Sequence, residues 1–429
     1  MNLLAFAWRN LLRNRRRSFL AVISTFIATL LVVAGNGLTE GFIDSMVRNY
    51  TKNETGHIHI ATTAYRERAR FMPVDEYIQD ANSLVQTIEQ NFSDRRGSAQ
   101  VLAAPRTRFA VLLSSGTFTK PAVAIAGDPE KERRLLMLDR NILSGGSYCT
   151  EPGTAIIGSM LARDLHLKAG DRLKIVTTRA DGGMGFKSLR ISGIFHTGTN
   201  ALDGSVFQMR LDDAQALLGM GKGAQQILVM LPDYRRISSY LPAARNLLQS
   251  AGNAGIVSLS GEENASRLTA LPWTDIGDYP KMILLANGIY VGMWFFIALL
   301  GAFIIANIMT MVVLERRRET GILMAMGMPP RNIALSFLLE GTMLGFGGSL
   351  LGTAAGTAFN LAFSRTGFDF SSAMAGFSWP IDNIIRPAVT AGGIVSGLAY
   401  CTIAAMLMSW LPSWRASRMD VVDALASAQ

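Results

Sequence analysis

Cysteine and charged residues are both scarce in this sequence, and each scarcity excludes a class of protein. Only 2 cysteines occur among 429 residues, so a framework of disulfides is excluded. Charged residues make up 17% of the chain, against roughly 25% in soluble globular proteins. The hydrophobic fraction of 49% is too high for a disordered chain, and the glycines follow no three-residue repeat of the collagen kind. The composition therefore argues against a purely soluble protein.

Long uncharged stretches account for the missing charge. Four of them could cross a bilayer, which takes about 20 apolar residues as a helix. A long region of ordinary mixed composition separates the first from the second. We therefore predict a membrane protein with four transmembrane α-helices and a large α+β domain between helices 1 and 2. The predicted segments are an amphipathic helix at 1–17, spans at 18–45 (with an extension beyond the membrane), 280–314, 332–364 and 387–411, the large domain at 46–279, connections at 315–331 and 365–386, and a tail at 412–429.

The arginines outside the large domain form clusters that orient the spans. The clusters are Arg9, Arg13, Arg15, Arg16 and Arg17; Arg316, Arg317, Arg318 and Arg331; and Arg415 and Arg418. With four spans, all three clusters fall on one side of the membrane, which the positive-inside rule makes the cytoplasmic side. Both termini are then expected in the cytoplasm and the large domain outside. The net charge of +9 thus indicates membrane orientation and not nucleic-acid binding.

The first residues predict an amphipathic helix at the membrane surface. Leu4, Trp8 and Leu11 recur at helical spacing, whereas Arg9 and Arg13 share the other face. The alternative is a basic flank that only orients the first span. Orientation does not require an apolar stripe, so we favour the surface helix.

The pattern of the large domain predicts an α+β fold in two parts. Alternating residues predict a strand at His57–Ile60, an apolar face predicts a helix at 74–92, and a later strand is expected at 256–259. From residue 141 the sequence pattern changes and predicts short strands separated by turns. We therefore predict one subdomain that is split by another. The first comprises 46–140 and 224–279, and the β-rich insertion comprises 141–223.

Residues of the large domain indicate neither catalysis nor a bound cofactor. The nearest imitation of a phosphate-binding loop, Gly182–Ser188, has Phe186 where GxxxxGK[ST] requires glycine. His57 and His59 alternate along a strand and could share a metal, but no further ligand stands at suitable spacing, so we favour no metal site. No nucleophile stands out beside a base. Any energy from ATP must then come from another chain.

Glycines mark one face of the third span. They are Gly341, Gly345, Gly348, Gly352 and Gly356. In lipid such a face lets helix backbones approach closely, which predicts packed helices and not a wide aqueous pore. The pairs Gly288/Gly292 and Gly393/Gly397 predict the same for spans 2 and 4.

Glu340 is the ionisable residue that stands deep within an apolar run. An intramembrane carboxylate usually indicates a function, such as a proton relay. Glu340 also lies near the basic end of its span, however. We therefore favour a structural ion pair with Arg331 or Arg415.

The segment Glu315–Ile333 carries the clearest indication of a partner. It is too short for a domain and has the pattern of a short amphipathic helix that ends at Gly327 and Pro329. Arginines alone would only orient the neighbouring spans. Glu315 and Glu319 interleave with them beside an apolar face, and this combination predicts a docking element for a soluble partner.

This segment resembles the cytoplasmic signature of MacB/FtsX-type permeases of ABC transporters, which reads approximately ER-x-x-EIG-[IL]-x-x-A-x-G-A. The matching residues are Glu315, Arg316, Glu319, Gly321, Ile322, Ala325 and Gly327, and the departures are Thr320 and Met328. The order of one span, a large domain and three spans also resembles the family. Three further stretches resemble the family: Ala7–Leu11, Pro412–Arg418 and Asp423–Leu425. Two stretches of the large domain resemble its lipoprotein-releasing LolC/LolE branch: Ile125–Pro129 and Ala155–Asp171.

The resemblance implies a bacterial inner-membrane protein without a cofactor or metal of its own, and ATP and Mg bound by a separate ATPase subunit. It further implies a porter-like subdomain carrying the β-rich one, a dimer with a second permease, and ATP-driven motion transmitted through spans 1 and 2. The residues expected to contact the ATPase subunit are Glu315, Arg316, Arg318, Glu319, Gly321, Ile322, Leu323, Ala325 and Gly327. The residues expected to flank a lipid-accessible cavity are Phe26, Leu30, Val33, Trp294 and Ile297.

Three functions are compatible with this resemblance. The leading hypothesis is a permease subunit that extracts lipoproteins, or another lipid-anchored substrate, from the inner membrane and passes them to a periplasmic carrier. The second is a drug or peptide exporter of the same architecture. The third is a signal transmitter that controls periplasmic hydrolases without transport, which the large two-part domain disfavours.

Overall fold

The computed structural model describes residues 3–13, 15–92, 101–116, 118–143, 145–197, 200–253, 267–370 and 384–420. The chain divides into two compact units. The membrane unit comprises Met1–Met46, Met282–Ala375 and Asp382–Gln429, and the α+β domain comprises Val47–Lys281 with Gly376–Ile381. The predicted strand at 256–259 and the tail motif Asp423–Leu425 lie outside the described residues.

The helices and strands alternate along the α+β domain, whereas long helices dominate the membrane unit. The helices are α1 (Leu3–Arg13), α2 (Arg15–Tyr50, continued by a π-helical turn at Thr51–Thr55), α3 (Thr63–Glu67), α4 (Ala81–Phe92), α5 (Pro129–Leu136), α6 (Ser159–Asp164), α7 (Asn200–Ser205), α8 (Leu211–Leu218), α9 (Ile237–Asn253), α10 (Tyr279–Glu315), α11 (Arg317–Ala325), α12 (Pro330–Thr366) and α13 (Ala391–Ser417). The strands are β1 (Ile58–Thr62), β2 (Leu102–Ser115), β3 (Phe118–Gly127), β4 (Thr154–Gly158), β5 (Arg172–Thr178), β6 (Met184–Phe195), β7 (Val206–Arg210), β8 (Gln226–Met230), β9 (Leu268–Pro272), β10 (Phe368–Asp369) and β11 (Ile384–Ile385).

Four helices of the described chain are long and apolar enough to cross a membrane. They are Arg15–Thr55, Tyr279–Glu315, Pro330–Thr366 and Ala391–Ser417, one at each predicted span. The last differs from the prediction at both ends, because α13 begins at Ala391 and continues through Pro412. Pro412 is buried in this helix, and the Ser413 hydroxyl donates to the Ser409 carbonyl at 2.6 Å. Packing within the unit thus overrides the local tendency of proline to end a helix.

The glycine face of α12 forms the contact that the sequence predicted. A Cβ at Gly348 would lie 2.6 Å from the Thr25 Cβ, and one at Gly352 would lie 2.6 Å from the Phe26 carbonyl oxygen. On the same helix, Gly345 meets Ala405 of α13. Since real Cβ atoms do not approach so closely, only glycine permits these backbone distances, and the predicted close packing is confirmed.

The glycines of α10 behave differently. Nothing lies within 4 Å of the positions that Cβ atoms would take at Gly288 and Gly292. No helix of the described part of this chain packs against this pair, so its predicted close packing stays a prediction. Elsewhere on α10, Gly301 does pack, against Ala28 of α2.

A nine-stranded sheet forms the centre of the α+β domain, in the order β3-β7-β4-β6-β5-β2-β8-β1-β9. Strand β2 joins its two parts, because residues 102–106 pair with β8 while residues 106–115 pair with β3. Strand β3 also pairs with β7, within the predicted β-rich subdomain. The predicted boundary at 141 is therefore misplaced. One continuous sheet passes through both subdomains, and the passage from the first subdomain to the β-rich one lies within β2. Strand β9 was not predicted.

The predicted helix at 74–92 is shorter than expected. Helix α4 begins only at Ala81, because Ile78 is held in a bridge to Ala224. Just before the helix, Asp80 accepts hydrogen bonds from the hydroxyl and the backbone N–H of Ser83. Such a cap satisfies donors that the first turn of a helix leaves free.

His57 and His59 belong to the interior of this sheet. The His57 Nδ1 accepts from the Leu231 N–H at 2.9 Å, and the His59 Nε2 lies 2.6 Å from the Gln226 Oε1. Within the described residues, no group of three or more His, Cys, Asp or Glu could hold a metal. Burial lowers the pKa of each imidazole from 6.5 to about 4. Both rings are thus neutral structural groups at neutral pH.

Acid should destabilise the α+β domain in a window set by these histidines. The unfolded rings have a pKa of 6.5 and the folded rings of about 4, so the unfolded chain binds protons first and stability is lost as pH falls through this range. The variant His57→Asn with His59→Gln retains hydrogen-bonding groups but cannot titrate. Thermal unfolding of the full chain in detergent should show a Tm that falls with pH in the native protein and falls less in the variant. The same pH dependence in both would contradict the assignment.

Candidate functional site

The connection between α10 and α12 folds as the short helix α11. Its end is well defined, because the Met326 N–H donates to the Ile322 carbonyl and Gly327 has a φ of +91°, which favours glycine. Pro330 then begins α12 at a position where no backbone donor is needed. The predicted helix and its termination by Gly327 and the following prolines are confirmed.

A buried ion pair anchors this connection to the rest of the membrane unit. The Arg316 Nη1 lies 3.0 Å from the Glu340 Oε1, and both side chains are almost fully buried. The Asn10 Nδ2 donates to the same carboxylate at 2.6 Å. Residues from α1, from the junction of α10 with α11, and from α12 therefore meet at one carboxylate.

This geometry corrects the predicted partner of Glu340. Arg331 and Arg415 are both exposed, whereas Arg316 is 6% exposed and points to the carboxylate. Arg316 lies between two helices, at the break where α10 ends and α11 begins, and its side chain can therefore turn inward. The prediction of a structural ion pair is confirmed, but its cation was wrong.

Two further ion pairs connect the first basic cluster with Glu315, at the end of α10, and Glu319, within α11. The Arg13 Nη2 donates to both carboxylate oxygens of Glu319, at 2.6 and 2.8 Å. Arg17 forms an ion pair with Glu315. Besides their expected places in the surface helix and in the cluster that orients the first span, these arginines thus hold α11 and the end of α10. Exposed pairs of this kind contribute about 0–1 kcal/mol each, so they act mainly by restricting position.

The residues predicted to dock a partner divide between the surface and the interior. Those on the surface are Glu315, Arg318, Glu319, Ile322, Ala325 and Gly327; Leu323 is half-buried; Arg316 and Gly321 are buried. Met326, which the prediction omitted, is 79% exposed, and Ile322 is 44% exposed. We call Arg318, Ile322, Ala325 and Met326 the α11 face. The α11 face thus exposes apolar side chains on a short helix that is tied to α1 and α12.

The residues of α2 that were predicted to flank a cavity lie, within the described chain, on the side that packs against other helices. Val33 is 3% exposed and packs against Gly356 and Gly397. Phe26 and Leu30 are half-buried on the side of α2 where the glycines of α12 approach its backbone. The cavity prediction is wrong at Val33, because that face of α2 is used for helix packing.

The predicted residues of α10 are also committed to packing. The Trp294 Nε1 donates to the Thr39 Oγ1 at 3.2 Å, and its ring lies where a side chain at Gly35 would stand. Trp294 and Ile297 pack against a small core that includes Val32. The exposed apolar residues of α2 and α10 lie elsewhere: Phe19, Leu20, Ile23, Ile27 and Leu31 on α2, and Leu284, Leu285, Ile289, Phe296, Leu300 and Phe303 on α10.

A serine, a histidine and an aspartate meet in the α+β domain without forming a catalytic relay. The His196 Nδ1 lies 3.0 Å from the Ser159 Oγ and 2.8 Å from the Asp203 Oδ2. A relay requires the two partners to use opposite ring nitrogens. Both contacts here use Nδ1, so this cluster is structural.

The described fold defines a multi-pass membrane protein with a large α+β domain between its first two spans. Residues 18–247 match the MacB-like periplasmic core domain, and residues 291–421 match the C-terminal region of FtsX-like permeases. The chain belongs to this family of ABC transporter permeases, of the LolC and MacB type, in the inner membrane. The domain between spans 1 and 2 is thus its periplasmic core domain.

Relatives and solved structures that are similar to this chain include three proteins. The lipoprotein-releasing system transmembrane protein LolC of Xylella fastidiosa (strain 9a5c) is 24% identical over 334 residues, covering 75% of this chain and 77% of that protein. The macrolide export ATP-binding/permease protein MacB of Shewanella sp. (strain W3-18-1) is 32% identical over 128 residues, covering 30% of this chain and 18% of that protein. The solved periplasmic region of MacB from Actinobacillus actinomycetemcomitans aligns with a TM-score of 0.35 at 11% identity, over 56% of this chain and 97% of that one.

Removing one partner of the buried ion pair should lower the free energy of unfolding more than removing both partners. Arg316→Met leaves the Glu340 carboxylate buried without its cation, which we expect to cost about 3–5 kcal/mol. Adding Glu340→Leu removes the unpaired charge and should recover most of that loss. Equilibrium unfolding in mixed detergent micelles measures both.

The exposed pair supplies the matched control. Arg13→Met should cost less than about 1 kcal/mol, because water solvates the Glu319 carboxylate when its partner is lost. A double variant at Arg316 and Glu340 that is no more stable than Arg316→Met would contradict the buried-pair account.

Proposed function

We propose that this chain is the permease subunit of an ABC transporter that extracts lipoproteins, or another lipid-anchored substrate, from the inner membrane. The observation that carries the proposal is the extent of the LolC match, 75% of this chain and 77% of that protein. The MacB match reaches only 18% of its relative. Of the two relatives described above, the one that matches along most of its length is named for lipoprotein release.

The energy for this reaction is proposed to come from a separate ATPase subunit that docks on the α11 face. Ile322 and Met326 expose apolar surface there, beside the Arg318 guanidinium. Arg13 of α1 pairs with Glu319 of α11, Arg316 beside α11 pairs with Glu340 of α12, and Arg17 of α2 pairs with Glu315 at the end of α10. A push on α11 would therefore pass into α1 and α12, and through the end of α10 into α2. The arginine clusters at the ends of the spans, one of which includes Arg316, Arg317 and Arg318, favour a cytoplasmic location for the α11 face.

Substrate is proposed to meet the exposed apolar side of α2 and not its glycine-packed side. Ile23, Ile27 and Leu31 recur every four residues along α2 and are each more than a third exposed. Acyl chains in the membrane could contact such a stripe directly. A second permease is proposed to pack on α10, where Gly288 and Gly292 leave open space.

Ile322→Asp should abolish co-purification of the permease with its ATPase subunit. A carboxylate would introduce charge into the apolar part of the interface, and burying it there unpaired is costly. Ile322 is a cleaner test site than Glu319, since Glu319 is bonded to Arg13. The matched control is Phe71→Asp, a change of the same kind at an 81% exposed residue of the periplasmic domain. Equal recovery of the ATPase with both variants would contradict the docking site.

A photocrosslinking residue at Leu31 should capture acylated lipoprotein in an active complex. The same residue at Val33 should capture none, because Val33 is 3% exposed whereas Leu31 is 52% exposed. Mass spectrometry of the adducts identifies the captured molecule. Capture of small drugs or peptides in place of lipoprotein would favour an exporter, and equal capture at both positions would contradict the assignment of the exposed face.

A further inference from the structure

The helix of the first span ends inside the periplasmic domain in an unusual turn. Thr51–Thr55 is π-helical, and the Gly56 N–H closes it by donating to the Thr51 carbonyl at 2.6 Å. The last carbonyls of a helix have no intrahelical donors and need partners from elsewhere.

Arg106 of β2 supplies those donors. Its Nη1 donates to the carbonyl of Lys52 at 3.0 Å and to that of Asn53 at 2.7 Å. The Arg106 side chain is 0% exposed, and Lys52 and Asn53 are half-buried. A cation at the carboxy end of a helix is also favoured by the helix dipole.

The Arg106 guanidinium is fixed on its other edge by Glu132 of α5. Nε and Nη2 donate to the two carboxylate oxygens at 2.8 and 2.7 Å, and Glu132 is also 0% exposed. Space for this carboxylate depends on Gly127, where a Cβ would collide with the Glu132 side chain. These two parallel hydrogen bonds fix the orientation of the guanidinium. In that orientation its Nη1 points to the carbonyls at the end of the helix.

A second arginine of the same strand holds the same turn. Arg108 lies two residues after Arg106 and so projects from the same face of β2. It forms an ion pair with Glu54, within the π-helical turn. Strand β2 thus binds the end of the first-span helix through Arg106 and Arg108, which are neighbours on one face of the strand.

Stability alone does not explain the buried pair. Replacing a buried ion pair with apolar side chains of similar volume is often neutral or stabilising. The arrangement does fix the helix end against the strand that joins both parts of the sheet, since β2 pairs with β8 at one end and with β3 and β5 at the other.

We propose that Arg106 is a positioning residue that transmits displacement of the first-span helix to the sheet of the periplasmic domain. This inference rests on the proposed function, because ATP binding must move that helix. Glu132 orients the guanidinium, and Arg108 prevents the turn from rotating about the Arg106 contact. Motion of α2 along its axis then moves β2 and the strands on both sides of it.

Hydrogen–deuterium exchange of the full permease–ATPase complex, with and without a non-hydrolysable ATP analogue, tests this. In the native complex the analogue should change exchange in α2, in the turn at 51–56 and in β2. In Arg106→Met with Glu132→Met, the change should persist in α2 but be lost in β2. The control, Arg190→Met with Glu151→Met, removes an exposed pair of the same domain and should retain the full response.

Each outcome separates the inference from the proposed function. An equal response of β2 in the native and double-variant complexes overturns the role of Arg106 and leaves the transporter assignment intact. No response to the analogue in the native complex overturns the proposed function, and the inference with it. If the double variant loses protection in β2 and β8 without nucleotide, Arg106→Lys decides: one ammonium cannot span Glu132 and both carbonyls, so loss of the response supports the inference and an unchanged response overturns it.

Discussion

Close contact between α2 and the glycine face of α12 is the constraint on which the membrane unit depends. Apolar side chains gain little from association in lipid, so helices there are held by backbone approach and by interhelical hydrogen bonds. Both occur here: Gly348 and Gly352 admit the backbone of α2, and the Asn360 Nδ2 donates to the Val33 carbonyl at 2.9 Å. One side of the first span is therefore used for packing, and its other side remains exposed.

Buried arginines mark the places where the long helices end. Arg316 lies at the end of α10 and binds Glu340, while Arg106 receives the end of α2 and binds Glu132. Each links elements that are distant in sequence, and each is matched by exposed ion pairs nearby, such as Arg13 with Glu319. The proposed transmission of force from a docking helix to the periplasmic domain requires fixed helix ends, and charge pairs with defined geometry would fix them.

Local and periodic features of the sequence predicted much of this structure. Runs of uncharged residues located the spans, the spacing of glycines located the packing face of α12, and Gly327 located the end of α11. Long-range choices were not predictable, because nothing local specifies them: Glu340 binds Arg316 and Asn10, which stands 330 residues away in sequence. For the same reason the place of β3 in the sheet and the burial of Val33 were missed, since strand order and helix contacts are decided by tertiary packing.

The most direct test of the account is ATP-dependent release of substrate from proteoliposomes that contain the permease and its ATPase subunit. The vesicles would carry a lipoprotein in acylated form or the same protein with its acyl chains removed and a membrane-spanning anchor in their place. We expect ATP to release the acylated form into solution in the presence of an acceptor and to leave the anchored form in the membrane. Failure to release the acylated protein, together with ATP-driven export of a macrolide or peptide from the same vesicles, would contradict the account.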